Sequence, residues 1–189
     1  MFIRHVDTAL EQLVRQRLPL PEDLGEVSFE QPTGTWSAQV TRVTVNLYLY
    51  EVSRSAQPST AARMRMVGDG PAQVRRPQPM IQLGYLLSVW AGSPRDEHQV
   101  LGDLVSMLAG IDVLPAELAP PELSSPIQLA IGDERNMPRE LWTGLGGQLR
   151  ASLQLRATVA ADTHDWSDPA PSVERVAPAL NPFDAGARA

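Results

Sequence analysis

The side chains that could do chemistry in this sequence are scattered along the chain. Three histidines, His5, His98 and His164, fall on separate segments. His98 lies beside Glu97 and is the best placed to act as a base or metal ligand, but no second ligand follows it at helical spacing. Catalytic and metal sites need several converging groups. We therefore interpret His98 as a surface or interface residue, and His5 as a surface residue of a first helical turn.

The acidic residues beside His164 and in the segment 132–136 are also interpreted as surface residues. Asp162 and Asp165 flank His164, and we expect a solvated charged cluster there. Asp133 and Glu134 follow an apolar run in a Gly-Asp-Glu-Arg-Asn segment, where polar turn formers belong. Neither group predicts a catalytic centre.

Other catalytic and binding motifs are missing from the sequence. It contains no cysteine, which excludes disulfides and thiolate chemistry, and no Gly-x-Ser-x-Gly nucleophile elbow. The glycine-rich run 144–147 follows a predicted short helix and lacks the lysine of a nucleotide-binding loop, so we assign it to helix termination. We predict no enzymatic activity, no metal and no cofactor.

The most distinctive charged feature is a long basic loop at residues 53–78. It carries Arg54, Arg63, Arg65, Arg75 and Arg76 against a single acid, Asp69. The segments 63–67 and 72–76 flank Gly68-Asp-Gly-Pro71, which predicts a short projecting hairpin. Loops of this length in compact domains tend to be functional or disordered, so a contact surface and a dispensable solvated loop both remain open.

Aromatic residues suggest a second contact surface. Tyr48 and Tyr50 share one face of a predicted strand, and Trp90 lies on one face of the next. Alignment of this kind usually reflects packing, which we favour, although tyrosine and tryptophan also anchor interfaces. In the C-terminal segment, Trp166 and Phe183 are further candidate anchors for a partner.

Two strands and two helices should position these residues. Residues 43–50 alternate strictly between apolar and other side chains, which indicates a strand with one buried face. Residues 80–91 carry apolar side chains at every second position and some on the other face as well, which indicates a strand buried on one face and at least half covered on the other. Apolar spacings of three and four predict a helix over residues 1–18. Ser93 and Pro94 begin a second helix, which Gly110 should end in a left-handed conformation.

Shorter patterns complete the predicted fold. Alternation predicts strands at 26–30, 127–131 and 153–159, the first at a sheet edge, with short helical turns at 116–118 and 138–145. The fold class is therefore α+β, a single domain whose mixed, mainly antiparallel sheet is flanked by an N-terminal and a central helix.

Length and composition set the domain organisation. At 189 residues we expect one domain over 1–162, followed by a Pro/Ala-rich tail at 163–189 that is flexible or docked on a partner. No apolar run is long enough for a membrane span, and we expect no signal peptide. The formal charge of −6 argues against general nucleic-acid binding, and cytoplasm is the default compartment.

Taken in order, several short motifs resemble one family across residues 2–160. These motifs are Val6-Asp7, Leu10, Val27-Ser-Phe29, Val43-Thr-Val-Asn-Leu-Tyr-Leu-Tyr-Glu51, Leu83-Gly-Tyr-Leu86, Trp90-Ala91, Glu97-His-Gln-Val-Leu-Gly102, Leu141-Trp142 and Leu145-Gly146. With them, the chain looks like the cap, or tube-terminator, protein of phage-tail-like contractile injection systems of the antifeeding-prophage and virulence-cassette type.

The resemblance implies a structural role. Such proteins are similar in arrangement to phage tail terminators and form a six-fold ring that ends the inner tube and sheath, distal to the baseplate. We would then expect three partners: other copies of this chain, the inner-tube protein and the sheath protein. Assembly would take place in the cytoplasm, in a particle that is retained or released.

The resemblance does not extend to the basic loop or the tail. From the residues we predict that Arg63, Arg65, Arg75 and Arg76 contact acidic groups of a neighbouring subunit, tube or sheath. The alternative function is a binding module for nucleic acid or another acidic partner through this loop. A third possibility, an enzyme, would need a site built around His98.

Overall fold

The computed structural model describes residues 2–18, 25–68, 70, 72–132, 138–146 and 149–169, without the side chains of 138 and 139. The turn predicted at Asp133 and Glu134, Gly147, and the tail from residue 170, with Phe183, lie outside the described residues. The helices are α1 (Phe2–Arg17), α2 (Gly34–Ser37), α3 (Pro94–Ala109) and α4 (Pro138–Gly144), with a 3₁₀ turn at Ala116–Leu118. The strands are β1 (Gly25–Ser28), β2 (Val43–Arg54), β3 (Arg63–Arg65), β4 (Gln73–Arg75), β5 (Met80–Trp90), β6 (Gln128–Ile131), β7 (Ser152–Ala160) and β8 (Trp166–Ser167).

A five-stranded sheet forms the centre of the molecule, in the order β1-β2-β5-β7-β6. Strand β1 runs parallel to β2, and the other neighbours are antiparallel. The predicted α+β class with a mixed, mainly antiparallel sheet is confirmed. Strand β5 lies in the middle of the sheet, and most of its side chains are buried on both faces. The apolar residues on both faces of this strand predicted that burial.

One face of the sheet is packed against α1 and α3. The residues of α1 that recur at helical spacing, Val6, Leu10 and Leu13 among them, are buried against alternate residues of the strands. Helix α3 begins as predicted: the Ser93 hydroxyl accepts from the Asp96 backbone N–H at 3.3 Å, with Pro94 in the first turn. The two predicted flanking helices therefore form the main core with the sheet.

The opposite face is covered at one end by α2 and α4. Leu86, Trp90, Trp142 and Leu145 form a second apolar cluster there. Helix α2 was not predicted from the sequence. Its Thr33 cap accepts from the Trp36 backbone N–H at 3.2 Å, and one helical turn delivers Trp36 to the cluster.

The basic loop folds into an arm, which we define as residues 55–78. Strands β3 and β4 are antiparallel, as the predicted hairpin requires, and β8 pairs with β4 to give a separate three-stranded sheet in the order β3-β4-β8. Trp166 and Ser167, which the composition assigned to the tail, are thus paired with the arm.

One backbone prediction was wrong. Gly110 ends α3 with φ −94°, which is outside the left-handed region. The helix instead closes with a tightened final turn, in which the Gly110 N–H donates to the Met107 carbonyl at 3.3 Å. Glycine is therefore not required there by the backbone conformation.

Candidate interaction surfaces

Gln78 anchors the base of the arm. Its side chain is 2% exposed, and its amide donates to the His164 carbonyl at 2.8 Å and accepts from the His164 N–H at 2.9 Å. Its backbone N–H donates to Thr60 Oγ1 at 2.9 Å, and its carbonyl accepts from the Thr60 N–H. A buried amide with this many partners fixes both ends of the arm to the segment that follows β7.

Arg75 adds a second tie. Its Nη2 lies 3.2 Å from Asp162 Oδ1, and its Nε donates to the His164 carbonyl at 2.7 Å. Asp162 also accepts from the Ser124 N–H at 3.1 Å and has φ 50°, an uncommon conformation for a non-glycine residue. The prediction that Asp162 belongs to a solvated cluster was wrong, because its side chain is only 17% exposed and bonded on several sides.

Strand register gathers the basic residues of the arm on one face of the small sheet. Arg63 lies opposite Arg75, and Trp166 lies opposite Arg75 from the other side. The Arg65 guanidinium sits 4.4 Å from the Trp166 ring centroid, a cation–π distance, and donates to Gln73 Oε1. Two of the four arginines expected to reach a partner, Arg65 and Arg75, are therefore engaged within their own chain.

The arm also carries exposed apolar side chains. Met64, Met66 and Val67 have exposed fractions of 71%, 69% and 51%. Arg54, Arg63 and Arg76 are also exposed and make no ion pair within the part of the chain that the structure describes. A rigidly anchored segment with free arginines and exposed methionines is suited to contact a partner.

Trp90 lies inside the second cluster. It is 7% exposed, with its ring 5.2 Å from that of Trp36 in an edge-to-face arrangement and 6.3 Å from that of Trp142. The Arg150 guanidinium stacks 4.0 Å from the Trp90 ring and pairs with Glu97. Trp90 is therefore packed inside the single chain, as the sequence pattern favoured, and its role at an interface stays a prediction.

Tyr48 and Tyr50 remain at the border of this cluster. Both are partly buried and pack against it. Tyr50 occupies an irregularity of β2, where the register to β5 shifts between Leu49 and Glu51. Its ring lies over Gly84, and burial raises the pKa of the Tyr50 hydroxyl. The two tyrosines therefore pack at the border of the second cluster, and neither belongs to the arm.

The structure supplies no catalytic arrangement among its described residues. His98 is exposed on α3, and His5 lies 3.7 Å from Glu122 at the surface. The described residues contain no group of three histidines and acids that could hold a metal. A hollow of about 390 Å³ beside Trp90 is lined by Thr33, Ser37 and Arg150, among others, with no described histidine or carboxylate.

None of the helices in the described ranges is long and apolar enough to cross a membrane. This agrees with the absence of an apolar run of that length in the sequence.

Comparison with known proteins identifies the family. The profile of the Pvc16 N-terminal domain matches residues 5–175, which include both sheets and the whole arm. The chain belongs to the Pvc16 N-terminal domain family. The resemblance to caps of contractile injection systems, predicted from short motifs, is thereby confirmed. Among curated proteins, no sequence match was found.

Two solved structures share the fold of this Pvc16 N-terminal domain protein. One is the sheath/tube terminator of PVC, an extracellular contractile injection system, in its extended state, with 19% identity and a TM-score of 0.65 over 96% of this chain and 65% of that chain. The other is the tube-terminating cap of the anti-feeding prophage, with 19% identity and a TM-score of 0.60 over 91% of this chain and 60% of that one. This chain spans less than two thirds of either solved chain.

Proposed function

We propose that this protein is a structural cap of a contractile injection system. It forms a six-fold ring on the end of the inner tube distal to the baseplate and terminates both tube and sheath there. The observation that carries the proposal is the fold, which follows two solved terminators over nearly the entire chain. Family membership over residues 5–175 supports it independently of the structural comparison.

The kinds of side chain exposed on the molecule support a role in assembly. The described residues offer exposed arginines and methionines on an anchored arm, whereas they contain no group of three histidines and acids that could hold a metal. Subunits of a ring need a heterologous interface, in which two different surfaces meet and the rotation closes. The arm, which forms a sheet separate from the main one, provides one of these surfaces. The proposed partners are other copies of the chain, the tube protein and the sheath protein, in a particle assembled in the cytoplasm.

Particle length tests this function. Removing the protein from cells that build the particle should give tubes of uneven and greater length, because nothing halts their growth, and the full chain supplied in trans should restore a narrow distribution. A His98→Ala chain should restore it equally well, since His98 is an exposed side chain on α3 and lies outside the arm. Unchanged tube lengths without the protein would contradict the proposal. Restoration that depends on His98 would instead favour an enzyme.

A further inference from the structure

Charge is divided unevenly between the arm region and the rest of the chain. Residues 53–78 carry five arginines and one acidic residue. The remaining residues carry eleven arginines and twenty-one acidic residues. Between identical subunits, this division repels one arm from another and attracts the arm of one copy to the body of the next.

Strand β3 presents an open edge on this basic arm. It lies at the outside of the small sheet, and all three of its residues are exposed. Arg63 and Arg65 project on one face and Met64 on the other. Backbone groups along such an edge readily pair with a strand of another chain.

The body has an acidic edge at β1. This strand ends the main sheet, and its exposed residue, Glu26, makes no ion pair within the described ranges. Glu30 is also exposed, and Trp36 Nε1 donates to its Oε2 at 2.6 Å, which fixes the carboxylate in place. A hollow of about 150 Å³ lies between these residues and is lined by both glutamates. In the described ranges β1 thus has a strand neighbour on one side only, and it carries two exposed glutamates, of which Glu30 is held in place by Trp36.

We propose that β3 of one subunit pairs with β1 of the next, so that Arg63 binds Glu26 or Glu30 across the subunit boundary. Arg65 binds the other glutamate through the N–H groups that its bonds to Gln73 do not use. This inference rests on the ring proposed above and specifies how its subunits join. Strand geometry makes the contact intermolecular. Strand β1 pairs with the first four residues of β2, which end at Asn46. The arm begins after Arg54, at the other end of β2. Eight residues of extended strand separate Asn46 from Arg54, a distance of about 26 Å.

Disulfide cross-linking tests the contact directly, because the chain contains no cysteine. In an Arg63→Cys/Glu26→Cys variant, whose two cysteines lie on the same face of the paired strands, mild oxidation of assembled particles should join neighbours into a ladder of covalent oligomers on a non-reducing gel. Each single variant should give dimers at most. A ladder is expected only for a heterologous contact, since disulfides need Cα atoms within about 7 Å. Its absence, with the variant present at the particle ends, would overturn the inference.

Charge reversal tests the partners of the two arginines. Arg63→Glu/Arg65→Glu should lower occupancy of the particle ends about tenfold or more, equivalent to about 1.4 kcal/mol. Adding Glu26→Arg/Glu30→Arg to the same chain should restore it. The matched control, Arg54→Glu/Arg76→Glu, makes the same charge change on exposed arginines outside β3 and should stay within about twofold of wild type.

The outcomes separate this inference from the proposed function. If wild-type chain is missing from particle ends, the cap function itself is wrong. If it is present but reversal has no effect, or the control is equally impaired, the function stands and the strand contact is wrong. Reversal without rescue, together with no cross-linked ladder, would instead place the arm on tube or sheath.

Discussion

The guanidinium of Arg75 lies 3.2 Å from the carboxylate of Asp162 and ties the arm to the residues that follow β7. Both side chains are largely buried, at 16% and 17% exposure. Together with the bonds of Gln78, this contact turns a long basic loop into a fixed projection. The arm is therefore oriented before any partner binds, which lowers the entropic cost of assembly.

Breaking the tie should loosen the arm. Arg75→Gln leaves the Asp162 carboxylate without its cation, and we expect a loss of about 1–3 kcal/mol in the free energy of unfolding. Faster proteolysis within residues 55–78 should accompany it. Arg76→Gln, on an exposed neighbour with no ion pair in the described ranges, is the control and should change neither readout. Equal protease sensitivity of the two variants would contradict the anchoring role of Arg75.

Gly84 has little room for a side chain. A Cβ there would stand 3.1 Å from Glu51 Cβ and 3.2 Å from Tyr50 Cζ, closer than ordinary van der Waals contact, so in Gly84→Ala these neighbours must shift by a few tenths of an ångström. We expect a loss of about 1–3 kcal/mol by chemical denaturation. Gly102 on α3 has no atom within 4 Å of such a Cβ, and Gly102→Ala should stabilise by about 0.5–1 kcal/mol. Effects of the same sign and size at both positions would argue against the close approach at Gly84.

Truncation of Trp142 should lower the free energy of unfolding more than the substitutions of Arg75 and Gly84. It is 1% exposed in the second cluster, and its Nε1 donates to Ser152 Oγ at 3.2 Å. Trp142→Ala should therefore cost about 3–5 kcal/mol. Leu149→Ala, at a residue that is 60% exposed, should stay within about 0.5 kcal/mol of wild type in the same denaturant titration.

Asp7 should make stability depend on pH. Burial raises its pKa above the ordinary 3.8, partly opposed by the hydrogen bond that the Tyr85 hydroxyl donates to Asp7 Oδ1 at 2.7 Å. The folded chain therefore holds this proton more tightly than the unfolded chain. The free energy of unfolding falls as pH rises from 3.8 through the raised pKa, and stays lower above it.

Asp7→Asn removes this titration and keeps an oxygen for the Tyr85 hydroxyl to bond. Its stability relative to wild type should therefore increase with pH across that window, as measured by urea unfolding at a series of pH values. Tyr85→Phe is the companion variant. It removes the bond that lowers the Asp7 pKa and should cost about 1–2 kcal/mol at neutral pH. A pH-independent difference between wild type and Asp7→Asn would contradict the burial of a charged carboxylate.

Periodicity was enough to predict the main elements. Strands β2, β5 and β7 and helices α1 and α3 are long enough for their apolar repeats to identify both the element and its buried face. The hairpin of the arm was also predictable, because Gly68 separates two short extended segments. Gly68 has φ 57°, a conformation that favours glycine at such a turn.

The contacts that fix the arm were not predictable in the same way. Gln78, Asp162 and His164 are polar residues in irregular segments, and their burial depends on the distant strands that bring them together. Helix α2 was missed because it has a single turn, although Thr33 three residues before Trp36 was a capping signal. No pattern in the sequence was a reason to select Glu26 and Glu30. Their role depends on the position of β1 at the end of the sheet and on the hollow that both glutamates line with Trp36.

The central claim is tested most directly by electron cryo-microscopy of the particle end distal to the baseplate. The account predicts a six-fold ring of this chain closing the tube, with density for each arm reaching the adjacent subunit. An end closed by another protein, or this chain present there without a closed ring, would contradict the account.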